Sequence, residues 1–337
     1  MDISFLETVW FVLVGVLLGM FTITGGFDFG AGISLGVSTE ANRRDFTIRS
    51  IAPFWDANQV WLITAGGALF AAFPRAYSQM LSLMYTPVII LLLLLVLRVV
   101  GIEFYHLENN QKWRKFWGGI VFISSLLSAV LAGVALGAVF DGRLFVPYDG
   151  FWDGFLRLFT PLSICAGVLY AAFFAAYGSI FLAVRAGDDD YASSLKKLSK
   201  ILQAVLMCVF IIYAVVLLMK LRQTPQCLPH AAFGILISYV CLSASARFAR
   251  RSKFKSAFAL DALFALLAIA THCMVSYPFI IPAETVNAGL DISAAASSPT
   301  TLSIMLVVAG VGVPLALAYN IYAWRVFRSD KIGNESR

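Results

Sequence analysis

Residues 88–97 read VIILLLLLVL and residues 264–281 read FALLAIATHCMVSYPFII. Neither run contains Lys, Arg, Asp or Glu. With their apolar flanks, both reach the roughly 20 residues that a helix needs to cross a bilayer. Inside hydrocarbon, a helix satisfies its own backbone donors and acceptors. The whole chain has the same character: of 337 residues, 60% are hydrophobic and 13% charged, against roughly 25% charged in soluble domains. This composition predicts an all-α polytopic membrane protein with lipid as its solvent.

Hydropathy divides the chain into nine expected transmembrane helices, about 8–36, 52–74, 79–100, 117–140, 157–184, 200–220, 231–248, 256–279 and 300–326. The acidic start MDISFLET has no basic n-region, so the first span reads as a retained helix. No stretch is long and polar enough for a separate soluble domain, so residues 1–337 form one integral membrane domain. Helices on either side of the acidic segment DGRLFVPYDGFWDG (141–154) suggest two four-helix bundles. The first covers about 8–140, the second about 157–326.

Placing the N-terminus outside puts 20 of the 25 Lys and Arg residues in cytoplasmic segments. Only Arg75, Arg143, Arg157, Lys220 and Arg222 remain outside. This positive-inside bias predicts a periplasmic N-terminus and a cytoplasmic C-terminus. The basic pI of 9.1 is then a topology signature and gives no support to nucleic-acid binding. The five cysteines are scattered without C-x-x-C or metal-ligand spacing, which argues against a disulfide framework and a zinc site.

Three carboxylates stand out against this background. In ITGGFDFGAGISLG (23–36), Gly26/Gly30 and Gly32/Gly36 are small-residue steps that permit close helix contact. Asp28 lies among them, paired with a basic neighbour or functional. In PFWDANQVWLITAGG (53–67), Asp56 falls one turn into a helix that Pro53 is suited to start. A carboxylate there is worth about 0.3–1 kcal/mol against the macrodipole, and the stretch by itself leaves helix cap and proton site level. Trp61 points about 140° away from Asp56. In RVVGIEFYHLENN (98–110), Glu103 closes the third apolar run. Topology puts Asp28, Asp56 and Glu103 toward the cytoplasmic face on three consecutive spans, as a proton-uptake route needs. Arg49 and Arg98 are the candidate neutralising partners.

Of three histidines, only His272 lies well inside a span, where a hydrogen bond to a neighbouring helix is expected before haem ligation. A proton-coupled secondary transporter is the rival reading. It is suggested by the proline-interrupted YPFIIP (277–282), but two related halves with matching broken helices are not detectable.

The blocks GGFDFGAG, RSIAPFWDANQVWLITAGGALFAAFPRAY, RVVGIEF, and YPFIIP followed by SSPTTLSIML resemble, in that order, subunit II of cytochrome bd-type quinol oxidases. The resemblance runs from about residue 5 to 328. It implies a bacterial inner-membrane enzyme that oxidises quinol and reduces oxygen to water. It also implies two four-helix bundles plus one peripheral helix. The haem-bearing partner, subunit I, is expected to hold haem b and haem d, leaving this chain haem-free. A structural quinone and small accessory subunits are further possibilities that it raises. On this basis Asp56 corresponds to the family's proton-route aspartate at the start of helix 2, Glu103 to a position after the glycine where relatives have an acidic residue and Asp is common, Asp28 to the second acid of D-G-F-D, and Trp61 to a tryptophan beside a proposed oxygen passage. The chain departs from the pattern at Gly25, which replaces the first acid of D-G-F-D. It also departs at Phe54, where relatives often place His, and at SAAASS (293–298), where they often read W-D-A-T-S-S.

Overall fold

The computed structural model describes residues 3–38, 40–142, 155–186, 190–283 and 289–326. The helices are α1 (Phe5–Ser34), α2 (Ala41–Ile51), α3 (Trp55–Ala72), α4 (Pro74–Leu83), α5 (Tyr85–Phe104), α6 (Gln111–Asp141), α7 (Pro161–Ala186), α8 (Asp190–Leu221), α9 (Leu228–Arg250), α10 (Phe254–Ser276), α11 (Ile292–Ala295) and α12 (Pro299–Val326). A two-stranded antiparallel sheet, β1 (Phe279–Pro282) and β2 (Gly289–Asp291), lies between α10 and α11.

Eight helices among the described residues are long and apolar enough to span a membrane: α1, α5, α6, α7, α8, α9, α10 and α12. The other expected span is α3. It has 18 residues, about 27 Å at 1.5 Å per residue, and its polar opening Asp56, Asn58 and Gln59 lowers its apolarity. Three further features differ from the hydropathy reading. Residues 79–83 belong to α4, because Met84 leaves helical geometry (φ −102°, ψ 18°) before α5 starts. Helix α2 occupies the expected loop between the first two spans. YPFIIP supplies strand β1 and no broken helix, since Pro278 has no N–H with which to continue α10.

Helix α1 is the hub, packing on α3, α6, α7 and α10. Its contact with α7 is backbone to backbone. A Cβ added to Gly30 would lie 1.7 Å from the Phe174 carbonyl oxygen, and one at Gly178 would lie 2.1 Å from the Gly30 carbonyl carbon. No side chain larger than hydrogen fits that crossing without separating the helices. Helices α7, α8, α9 and α10 pack in sequence, and α10 returns to α7. An aromatic cluster fills the junction: Phe27 of α1 packs at a tilt against Phe181 of α7 at 4.6 Å and also meets Phe54, Phe258 and Trp324. In contrast, α12 buries little beyond Leu302 and Ala323 and leaves most of its apolar surface exposed on this chain.

Helix α3 is tied at both ends. At its C-terminus, where carbonyls lack intrahelical donors, the Ser297 backbone N–H donates to Ala72 O (2.8 Å). The Ser297 hydroxyl donates to Ala71 O (2.8 Å). At its N-terminus, the Trp55 indole donates to Glu103 Oε1 (3.3 Å).

Candidate functional site

The three carboxylates occupy two different settings. Asp28 and Arg98 are both 0% exposed, and Arg98 Nη2 donates to Asp28 Oδ1 at 2.6 Å. The guanidinium also donates from Nε to Ser125 Oγ (3.0 Å) and lies 4.3 Å from the Phe29 ring centroid. The small residues around Asp28 give this side chain access to it, with Gly32 of α1 facing Ser125 of α6. Asn58 of α3 stands beside the same carboxylate. Helices α1, α3, α5 and α6 therefore meet at one buried, charge-neutral group. A charge-assisted bond of this length is stronger than a neutral one. Removing either partner would strand the other in an apolar interior.

Asp56 and Glu103 are instead exposed on the surface of this chain. The Trp55–Glu103 bond, made by the residue before Asp56, ties the start of α3 to the end of α5. Asp56 begins a stripe of exposed residues, Val60, Ile63, Thr64, Gly67 and Phe70, on one side of α3. The opposite side, carrying Asn58, Trp61, Ala65, Ala68 and Ala72, is buried. Helical periodicity thus aims Asp56 away from the chain's own core, as its angle to Trp61 implied. Trp61 is 1% exposed, so it is a core residue and not an interfacial anchor.

The segment below these acids is polar. Asp45 of α2 accepts from Arg49 (2.8 Å) and lies 3.4 Å from His106 Nδ1 and 3.9 Å from Arg114. Burial lowers the affinity of His106 for its proton below the ordinary histidine value of 6.5, and the Asp45 carboxylate offsets part of that effect.

The three histidines have different surroundings. His272, part-buried in the last turns of α10, has both ring nitrogens engaged, Nε2 with the Tyr213 hydroxyl and Nδ1 with Ala268 O. This is the inter-helix hydrogen bonding expected of a lone intramembrane histidine. His106 faces Asp45, and His230 is exposed at the start of α9. Among the described residues, no group of three His, Cys, Asp or Glu side chains could hold a metal ion.

Sequence reading missed two polar groups. Asn58 lies within the stretch that drew attention to Asp56, and its i+2 offset from that residue signals the opposite, inward face. Asp261, inside AFALDALFALL (257–267), is an intramembrane carboxylate as isolated in sequence as Asp28. It is fully buried and accepts from Gln203.

The chain matches the family model described as cytochrome bd terminal oxidase subunit II over residues 6–327. It is 30% identical to cytochrome bd-I ubiquinol oxidase subunit 2 of Escherichia coli K12, covering 97% of this chain and 95% of that protein. It is 31% identical to cytochrome bd ubiquinol oxidase subunit 2 of Bacillus subtilis 168, covering 96% of each. Its fold is similar to a chain of the bd oxidase from Geobacillus thermodenitrificans, with a TM-score of 0.78, 18% identity, and coverage of 96% and 99%. The chain belongs to the cytochrome bd terminal oxidase subunit II family.

Proposed function

We propose that this protein is the haem-free subunit II of a quinol-oxidising, oxygen-reducing membrane complex, and that it supplies a proton-uptake route from the cytoplasm. The observation that carries the route is the Trp55–Glu103 hydrogen bond, which joins the start of α3 to the end of α5 at one membrane face. Asp56 thereby opens a mostly apolar exposed stripe on α3 (Val60, Ile63, Gly67 and Phe70), next to the helix end that carries Glu103. A charge exposed beside Val60 and Ile63 is costly in lipid, so this face is best explained by a partner subunit that covers it.

In this mechanism, protons reach Glu103 and Asp56 from the polar segment around Asp45 and His106, then pass along the subunit interface to the oxygen-reducing site of subunit I. Each acid accepts a proton from the cytoplasmic side and releases it toward the partner, while electrons stay within the partner. The separation of proton uptake from quinol deprotonation on the opposite face makes turnover electrogenic. Asp28 serves the route as a fixed anion: paired with Arg98, it holds α1 against α5 and sets the position of Glu103. Haem b and haem d reside in subunit I in this reading, supported by the engagement of both His272 nitrogens here. Trp61, packed behind the Asp56 stripe, borders the proposed oxygen passage.

The assignment extends to the finer architecture. Helix α3 is the ninth membrane span, and α1, α3, α5 and α6 form one bundle. Helices α7 to α10 form the other, with α12 peripheral. The N-terminus is periplasmic and the C-terminus cytoplasmic. A structural quinone has a candidate space in the cavity of about 310 Å³ lined by Phe140, Lys220, Gln226, His272 and Tyr277. The test of the route is Asp56→Asn in the assembled oxidase. It should lower turnover, or the voltage formed per turnover, without loss of assembly.

A further inference from the structure

Among the described residues, two aspartates within apolar helices are 0% exposed, and they are neutralised differently. Asp28 has the Arg98 guanidinium. Asp261 of α10, also 0% exposed, has no Lys, Arg or His among the groups acting on it. Its Oδ2 accepts from Gln203 Nε2 of α8 at 2.7 Å. The remaining atom of each group, Asp261 Oδ1 and Gln203 Oε1, is buried and has no hydrogen-bond partner.

The other neighbours bring no positive charge. Ser245 of α9, an uncharged hydroxyl beside the Asp261 carboxyl, lies 3.5 Å from Gln203 Nε2 and directs its proton to Ala257 O (3.1 Å). Cys241 of α9 directs its thiol to Leu260 O (3.1 Å). Tyr177 of α7 feels the Asp261 charge, and its hydroxyl has no partner. Helix α1 contributes Phe27 to this region, and its own acid is held by Arg98.

An ionised Asp261 would leave an uncompensated charge in an apolar interior, which is strongly unfavourable. It would also leave two acceptors, Oδ1 and Oε1, on facing groups with nothing to share. One proton removes both penalties. Carried on Oδ1 and donated to Oε1, it completes an acid–amide pair in which each group both gives and receives a hydrogen bond. The ring formed by Asp261 and Gln203 is then neutral and closed, and it joins α10 to α8 without a cation.

We propose that Asp261 and Gln203 form a proton-holding site in the second half of the molecule, with Asp261 carried as the neutral carboxylic acid. It is built from α10 and α8, whereas Asp56 and Glu103 lie on α3 and α5.

The test is infrared difference spectroscopy on the intact oxidase complex, comparing wild type with Asp261→Asn in H₂O and D₂O. The expected result is loss of one protonated-carboxyl C=O band in the variant. In wild type that band should move down in D₂O and stay unchanged when sodium replaces potassium. Loss of carboxylate stretches instead, or a cation-dependent band, overturns the proposal. Asp261→Asn should assemble at the wild-type level, since an amide resembles the neutral acid. Should it fail to assemble, Gln203→Leu decides the matter. Removing the partner amide should shift the same C=O band upward, and a band that stays in place overturns the proposal.

Discussion

Replacing Arg98 by Met keeps most of the side-chain stem and deletes the guanidinium. Asp28 then keeps its full burial but loses the 2.6 Å donor to Oδ1, and Ser125 and the Phe29 ring lose their contacts. Breaking a buried pair by removing one partner costs about 3–5 kcal/mol. The Ser125 bond adds about 1 kcal/mol and the cation–π contact about 0.5–2 kcal/mol, so Arg98→Met should fall at the upper end. Asp28→Asn retains an amide that can still accept from Arg98, and should fall at or below the lower end. At about 2 °C per kcal/mol for a large chain, a cost of 3–5 kcal/mol is a loss of about 6–10 °C. The assay is the fraction of assembled complex surviving a heating series in detergent, read by size-exclusion chromatography. The double variant Asp28→Val with Arg98→Met removes both charges and should recover most of the loss, because apolar replacement of a buried pair is often neutral or better. Single variants that survive like wild type would refute the claim that this pair holds α1 to α5. A double variant as fragile as Arg98→Met would refute stranded charge as the cause.

Gly30→Ala places a methyl group 1.7 Å from the Phe174 carbonyl oxygen; it should destabilise the α1–α7 crossing by at least the roughly 1–3 kcal/mol of core overpacking, read as lost thermal survival of the complex. Trp55→Phe deletes the indole donor to Glu103 and should lower steady-state oxygen consumption while assembly yield is kept; unchanged consumption would remove that bond from the mechanism. The folded-state pKa of His106 is depressed from 6.5, so the open form binds more protons below that value. Local stability of the α5–α6 loop is therefore fully present above about pH 6.5 and falls with acidification toward the depressed pKa. Protection factors across residues 104–110, referenced to the intrinsic exchange rate at each pH, should fall over that window in wild type and not in His106→Gln.

How much was legible in sequence depended on whether a residue's role is set locally or by contact. Runs such as VIILLLLLVL announce a membrane helix because hydrocarbon imposes one requirement on every residue in the run. The glycine steps at Gly26, Gly30 and Gly32 likewise signalled close packing, although only the fold shows Gly30 on α7 and Gly32 on α6. Asp28, Asp56 and Glu103 looked alike in sequence, as acids near one membrane face. Their separation into a buried ion pair and an exposed pair required knowing that Arg98 reaches inward, and one helical turn decides that. The Asp261–Gln203 contact joins residues 58 positions apart, and no local pattern around either one predicts it. The strand at Phe279–Pro282 was hidden for a related reason: an apolar run ending in prolines has the same hydropathy in a helix end and in a strand.

The most direct test of the proton-uptake route is the voltage formed per oxygen reduced by the complex in sealed liposomes, with Asp56→Asn compared against wild type at equal assembled enzyme. The route predicts that the variant assembles fully, yet either turns over more slowly or generates less voltage per oxygen. Wild-type turnover together with wild-type voltage in Asp56→Asn would contradict it.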